Sequence, residues 1–300
     1  MIWVTGSTGF LGCAVCRVLT AAGRHYVAIP GRKEGVDLRR GMQGRPPAEV
    51  SVIHLAYPGA HGIGTMVDTP ADLVSDLLRI DLNVIDACAK AKVEKLVCVG
   101  SVCAYPEHVT FPTGEDQLWE GYPEAVNAPY GNAKRMQLEL LKVYRRQYGL
   151  HGIHLILGNL YGPGDRSGHV IPATIRKVLA AKAAGAAEVA VWGDGSASRE
   201  FLYVEDAARA IVAALDRYDD PAPLNICSGE EILIRSLVDQ IMRVCDYQGT
   251  IQWDRSKPNG QPRRWFSRAR AEEVLGWTPE TLFSVGLART VAWLTAAEGD

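Results

Sequence analysis

The sequence predicts an α/β fold, a doubly wound parallel sheet followed by a smaller C-terminal domain. Three observations predict it. Residues 2–5 form a short apolar strand pattern that runs through a glycine-rich turn into an apolar helix pattern ending near residue 19. Strand-length apolar runs at 25–29, 50–56 and 95–99 are joined by helical stretches, the longest at 71–91, and strands linked by helical crossovers make a parallel sheet covered on both faces. A chain of 300 residues with 47% hydrophobic content can bury the core of one large domain or two closely joined ones.

The first of these elements carries the signature of a dinucleotide site. Gly6-Ser7-Thr8-Gly9-Phe10-Leu11-Gly12 places glycines three apart between a strand and a helix. Glycine lets the backbone turn tightly and approach a pyrophosphate, while the helix start offers unpaired N–H groups at the positive end of its dipole. In this context the spacing is the fingerprint of a Rossmann-type sheet. The second strand ends in Pro30-Gly31-Arg32, without the acidic residue that would grip the ribose hydroxyls of NAD. A guanidinium suits a 2′-phosphate, so Arg32 favours NADP(H); a solvated turn is the plainer reading of the same arginine. Ligands of such sheets bind beyond the carboxyl ends of the strands, which groups residues 6–12, 57–64 and 100–105 around one crevice.

Ser101 falls just past the strand at 95–99, where its hydroxyl can hydrogen-bond a carbonyl or simply close a turn. Tyr130 and Lys134 are four apart in a helical stretch and share one face. A nearby ammonium favours phenolate, so Lys134 is expected to draw the hydroxyl of Tyr130 down toward the working range of a general acid/base. Read alone, the pair is also what any amphipathic helix shows on its surface. Cys103 alone reads also as a small buried hydrophobe, and His169 as a helix cap. Trp192 fits ordinary core, and Arg199 and Lys257 fit solvated charges.

Composition narrows the class. A formal net charge of -2 argues against a nucleic-acid partner, which needs a clustered basic face. Seven cysteines, an odd number without paired metal-ligand spacing, suggest free thiols in a reducing, cytoplasmic setting. Ile2-Trp3-Val4 opens the chain with no basic region and no long apolar run, so neither signal peptide nor membrane span is expected.

In this order, the glycine turn, Ser101 and Tyr130-x-x-x-Lys134 resemble the extended short-chain dehydrogenase/reductase family, whose members act on nucleotide sugars. Ser101-Val102-Cys103-Ala104-Tyr105-Pro106, Asn127-Ala128-Pro129-Tyr130, Asn159-Leu160-Tyr161-Gly162-Pro163, His169-Val170-Ile171-Pro172, Val191-Trp192-Gly193-Asp194-Gly195, Arg199-Glu200-Phe201-Leu202-Tyr203-Val204 and Lys257-Pro258-Asn259-Gly260 extend the likeness over nearly the whole chain. They are similar to the branch that uses NADPH to epimerise a GDP-linked 4-keto-6-deoxy-mannose at C3 and C5 and then reduce its C4 ketone. The resemblance implies that Ser101, Tyr130 and Lys134 are the reductase set and that Cys103 and His169 are the epimerisation acid/base pair. It assigns Gly6, Thr8, Gly9, Phe10, Leu11, Gly12, Arg32, Ala56, Tyr130, Lys134, Asn159 and Leu160 to the cofactor. Asn159, Val170, Trp192, Arg199 and Lys257 fall to the nucleotide sugar, and no metal is implied. It further implies a homodimer paired through the helical stretches 73–92 and 130–148.

The expected organisation is a cofactor domain at 1–162, to which 199–227 returns, and a substrate-binding domain drawn mainly from 163–300. Three stretches depart from the pattern: only Asp165-Arg166-Ser167-Gly168 separates Gly164 from His169, Tyr57-Pro58 replaces small residues, and Gly131-Asn132 interrupts the helix beside Tyr130. The short 165–168 turn favours a related nucleotide-sugar 4-ketoreductase or epimerase acting on a heptose or another deoxysugar, and Tyr57-Pro58 is expected to narrow or rigidify the pocket. A non-catalytic dinucleotide-binding regulator is the reading from another class.

Overall fold

The computed structural model describes residues 1–298 except 43, 45, 59–67 and 258. Strands β1 (Ile2–Thr5), β2 (Tyr26–Ala28), β3 (Ser51–His54), β4 (Lys95–Ser101) and β5 (Gly152–Leu157) share one sheet with β9 (Leu224–Ile226), in the order β2-β1-β3-β4-β5-β9. Every pairing in it is parallel. All residues of β3, β5 and β9 are buried, which is why these strands read as unbroken apolar runs rather than alternating ones. The sequence reading assigns no strand to β5, although it is the fullest of the three.

Helices α1 (Phe10–Ala21), α2 (Pro70–Ala91) and α3 (Ala128–Tyr148) supply crossovers. Pro70 and Pro129 sit in the first turns of α2 and α3, where the missing N–H has no helical partner to lose. Gly149, in the left-handed region at φ 70°, closes α3. Helix α4 (Val170–Ala183) follows β6 (Asn159–Tyr161), and α5 (Val204–Arg217) follows β8 (Ser198–Tyr203). One core joins β1, β5, β9, α1 and α5 through Val4, Val15, Leu155, Ile211 and Ile226, all fully buried. The helix and strand at 204–226 therefore pack with the main sheet.

A second core lies among α4, α6 (Ile234–Val244) and α8 (Phe283–Glu298), built on Ile175, Val178, Leu237, Ile241 and Leu287. Two small sheets accompany it: β10 (Glu231–Leu233), β8 and β6 in one, and β11 (Thr250–Asp254) with β7 (Glu188–Trp192) in the other. Helix α7 (Ala269–Leu275) returns to the first core. Glu200 of β8 is a fully buried tie between segments, accepting N–H bonds from Ser228 at 2.7 Å and Phe266 at 3.0 Å.

Candidate active site

The glycine turn follows from close approach. A Cβ on Gly12 would stand 2.0 Å from the carbonyl oxygen of Gly6, whose own φ is +68°, so α1 can begin against the turn only without side chains there. No side chain caps α1, leaving its leading N–H groups and positive dipole end for an anion. Thr8 is exposed on the turn, while Leu11 and Leu160 pack on the first core. Phe10 also packs on that core, Ala56 on the cluster around β3 and α2. Arg32 is exposed just beyond β2, at the sheet edge next to β1. Of the loop expected beside the crevice, residues 59–64 lie outside the described residues, as does Pro258.

Ser101 is the last residue of β4, and its Oγ accepts from the N–H of Cys103 at 3.2 Å, starting the one-turn helix Val102–Ala104. The Tyr130 phenol stands beside the Ser101 hydroxyl. Tyr57 packs its ring edge-on to Tyr130 with centroids 5.9 Å apart. Ser101, Cys103, Tyr57 and Tyr130 are thus one cluster at the carboxyl ends of β3 and β4.

The expected effect of Lys134 on Tyr130 is corrected here. Burial, followed by Tyr57 and Cys103, pushes the phenol well above its ordinary range, and the Ser101 hydroxyl only partly opposes it. Lys134, 4% exposed, stands beside Asp81 of α2, with Nζ 3.8 Å from Oδ2. Its charge is opposed by a carboxylate that sequence spacing does not reveal.

Gly131, odd for a helix interior, has a reason in the structure. A Cβ there would lie 2.3 Å from the carbonyl oxygen of Cys103, so glycine brings α3 onto the turn that carries the thiol. Arg135, one helical turn on, donates from Nε to the carbonyl of Ala104 at 2.7 Å. Gly131→Ala gains about 1 kcal/mol of helix propensity but incurs overpacking of about 1–3 kcal/mol. A lower melting temperature and reduced turnover are expected; calorimetry showing a stabilised, fully active variant would refute the contact.

Two residues beside the thiol escape sequence reasoning. Arg264 reaches Cys103 Sγ at 3.9 Å and pairs with Glu124 at 2.8 Å. The neighbouring Arg263 pairs instead with Glu231, and nothing in Arg263-Arg264 itself tells the two apart. Only proximity to the Lys257 stretch hints at either.

The other predicted residues lie on β6, β7 and β8, at the start of α4, and after β11. Trp192 is not core: it is 63% exposed, with the ammonium groups of Lys177 and Lys257 at 5.7 and 5.6 Å from its ring centre. Arg199 is not simply solvated. It donates to the carbonyls of Ser198 at 2.7 Å and Gln261 at 2.6 Å, and burial with Arg264 nearby lowers it to about 10. Asn159 donates to the carbonyl of Glu200 at 2.9 Å, holding β6 to β8. Val170 packs on the second core. His169 is exposed at the start of α4, and its ring makes no hydrogen bond among the described residues. The short turn before it is fixed by Asp165 accepting from Ser167 N–H at 2.9 Å and by Arg176 donating to Ser167 O at 2.9 Å. A cavity of about 620 Å³ lined by Trp119, Lys142, Arg145 and Pro223 shares none of these residues; chemistry, not size, locates the site.

An uncapped glycine turn on a parallel sheet, with serine, tyrosine and lysine beyond the next strands, defines an extended short-chain dehydrogenase/reductase. Residues 2–227 match the NAD dependent epimerase/dehydratase family, and the chain belongs to that family. It is 37% identical over 300 residues to the probable GDP-L-fucose synthase 1 of Oryza sativa subsp. japonica, covering 97% of this chain and 91% of that protein. It is 29% identical over 235 residues to the GDP-L-colitose synthase of Yersinia pseudotuberculosis, covering 76% of each. The crystal structure of a GDP-L-fucose synthetase from Naegleria fowleri bound to NADP superposes with a TM-score of 0.87 at 27% identity, covering 99% of this chain and 94% of that one.

Proposed function

We propose that the protein is an NADPH-dependent epimerase and reductase of a GDP-linked 4-keto-6-deoxy sugar, with GDP-4-keto-6-deoxy-mannose inverted at C3 and C5 and then reduced at C4. The observation that carries this reading is the placement of the Cys103 thiol in one cluster with Ser101 and Tyr130. A plain ketoreductase has no use for a thiol there. The relatives named GDP-L-fucose synthase and the NADP-bound neighbour support the substrate class and cofactor.

The C4 ketone acidifies the hydrogens at C3 and C5. Ser101 and Tyr130 are the donors that meet the enolate oxygen where its charge appears. Cys103 and His169 exchange protons on opposite faces of the ring. Bound NADPH supplies the hydride. Tyr130 gives the C4 oxygen its proton, and as a phenol held well above its ordinary range it is fully protonated at neutral pH, as an acid must be.

The uncapped glycine turn, which admits no Cβ at Gly12, fits a pyrophosphate. Gly6, Thr8, Gly9, Phe10, Leu11 and Gly12 cradle it, with Ala56, Asn159, Leu160, Tyr130 and Lys134 toward the nicotinamide end. Arg32 takes the 2′-phosphate. Trp192, Arg199, Lys257 and Val170 hold the nucleotide sugar. We assign cofactor binding to residues 1–162 with the returning 199–227, and substrate binding mainly to the rest.

The test is NADPH oxidation with GDP-4-keto-6-deoxy-mannose in deuterated water, with the product examined by NMR. Deuterium at both C3 and C5 is expected. Turnover without label would reduce the activity to a 4-ketoreductase. A second reading, a different deoxysugar or a heptose, is favoured by Tyr57 beside Tyr130 and by the short 165–168 turn, and the similarity to a GDP-L-colitose synthase accords with it. It predicts no turnover of this sugar but turnover of another GDP-linked ketone. The intact Ser101, Tyr130 and Lys134 argue against a non-catalytic regulator.

The protein acts as a homodimer in the cytoplasm on this reading. Met136 and Val143, seven residues apart on α3, are 50% and 38% exposed, and Leu82 on the adjoining α2 is 45% exposed; all seven cysteines are free. Light scattering is expected to give twice 32.6 kDa, and Met136→Glu to halve it. A wild-type monomer would remove the dimer.

A further inference from the structure

Behind Tyr130 lies a chain of buried polar groups whose proton positions can be worked out. Thr5, His54 and Asp81 are 0%, 2% and 0% exposed. Thr5 Oγ1 accepts from the N–H groups of Leu55 at 3.2 Å and Ala56 at 3.4 Å. With both lone pairs engaged, its hydroxyl has only a proton left to give, and His54 Nδ1 lies 2.7 Å away. With Thr5 donating, Nδ1 accepts and the proton on Nε2 is given to Asp81 Oδ1 at 3.1 Å. Burial alone would raise the Asp81 carboxyl, but Lys134 and His54 outweigh it and hold the group below its ordinary value. The second carboxylate oxygen is left for Lys134, 3.8 Å off.

We propose that Asp81 is the positioning residue of the reductase set, a carboxylate clamped through His54 to Thr5 that fixes the Lys134 ammonium on the Tyr130 face of α3. This rests on the reductase reading above. A buried ion pair stabilises a fold poorly compared with apolar packing, so stability does not explain why the sheet and α2 spend three buried polar side chains on one lysine. The 3.8 Å separation balances charge without occupying the ammonium in a close hydrogen bond, which leaves its N–H groups for the ribose and for Tyr130. The clamp also starts at the backbone of Leu55 and Ala56, so the loop that delivers Tyr57 and the lysine are set by one run of hydrogen bonds.

The phenol of Tyr130 is faced by Tyr57 after β3, by Ser101 and Cys103 after β4, by Asp81 from α2, and by Lys134 one turn along α3. Asp81 is among the groups that raise it. Asp81→Asn keeps an acceptor for His54 and removes only the charge. In wild type and Asp81→Asn, each compared with the same protein carrying Tyr130→Phe, near-ultraviolet titration isolates the ionisation of this one phenol without substrate. Ionisation at lower pH in Asp81→Asn is expected. With substrate, kcat should fall roughly tenfold to a hundredfold while KM for NADPH changes little, and the alkaline limb of kcat should move to lower pH. Thr5→Val, isosteric and remote from the charge, should lower kcat in the same way by a smaller factor, and serves if Asp81→Asn does not fold. An unmoved phenol titration, or wild-type kcat in either variant, would overturn the proposal. Failure of wild type to turn over the sugar, with the titration shifted as expected, would fault the functional reading and leave the clamp standing.

Discussion

Tyr130→Phe is expected to lower ketone reduction about a hundredfold to ten-thousandfold, the range that a positioned proton donor contributes, while NADPH still binds. The phenol lies against Ser101 and Tyr57, and losing one hydroxyl leaves the ring packing in place. Stopped-flow NADPH oxidation together with a fluorescence binding titration separates the two effects. The sign of the pH dependence follows from the shift. Burial holds the phenol well above its ordinary value, so the acid stays protonated through neutrality and reduction should be flat there, failing only on the alkaline side. An active phenylalanine variant would remove Tyr130 from proton delivery.

Cys103→Ser is expected to abolish most deuterium incorporation at C3 and C5 while leaving measurable NADPH oxidation. A serine hydroxyl keeps the space but is a far weaker proton carrier than a thiol. Arg264 stands 3.9 Å from the sulfur and is itself fixed by Glu124. Product NMR against total turnover is the measurement. Equal loss of both activities would make the cysteine a packing residue of the turn that α3 covers.

Some of this was legible before the fold and some was not. The glycine turn could be read because its chemistry is local: three glycines between a strand and a helix have few other uses. The pairing of Tyr130 with Ser101 could be read because strand ends in a parallel sheet converge on one rim. Asp81 could not, since an aspartate in α2 looks like any acid on an amphipathic helix until the packing of α2 on α3 turns it inward. Nor is the burial of Tyr130 legible, and it is burial, with Tyr57 and Cys103, that pushes the phenol up where Lys134 is expected to draw it down. Gly131 looked like a flaw because its justification, the carbonyl of Cys103, is distant in sequence. Trp192 could be read as core or as site with equal ease, and its exposure removes the core reading. His169 keeps its role as a proposal, since nothing in its local contacts locates the partner of its ring.

The joint between α3 and the Val102–Ala104 turn has a mechanical meaning. Gly131 seats against the carbonyl of Cys103 and Arg135 ties the carbonyl of Ala104, so the thiol and the phenol ride on one rigid body. A shift of the helix carries both together, and neither can retract while the other acts. On the proposed reaction, three carbons of one sugar must still be served in turn. The tool head is fixed, and the workpiece has to rotate.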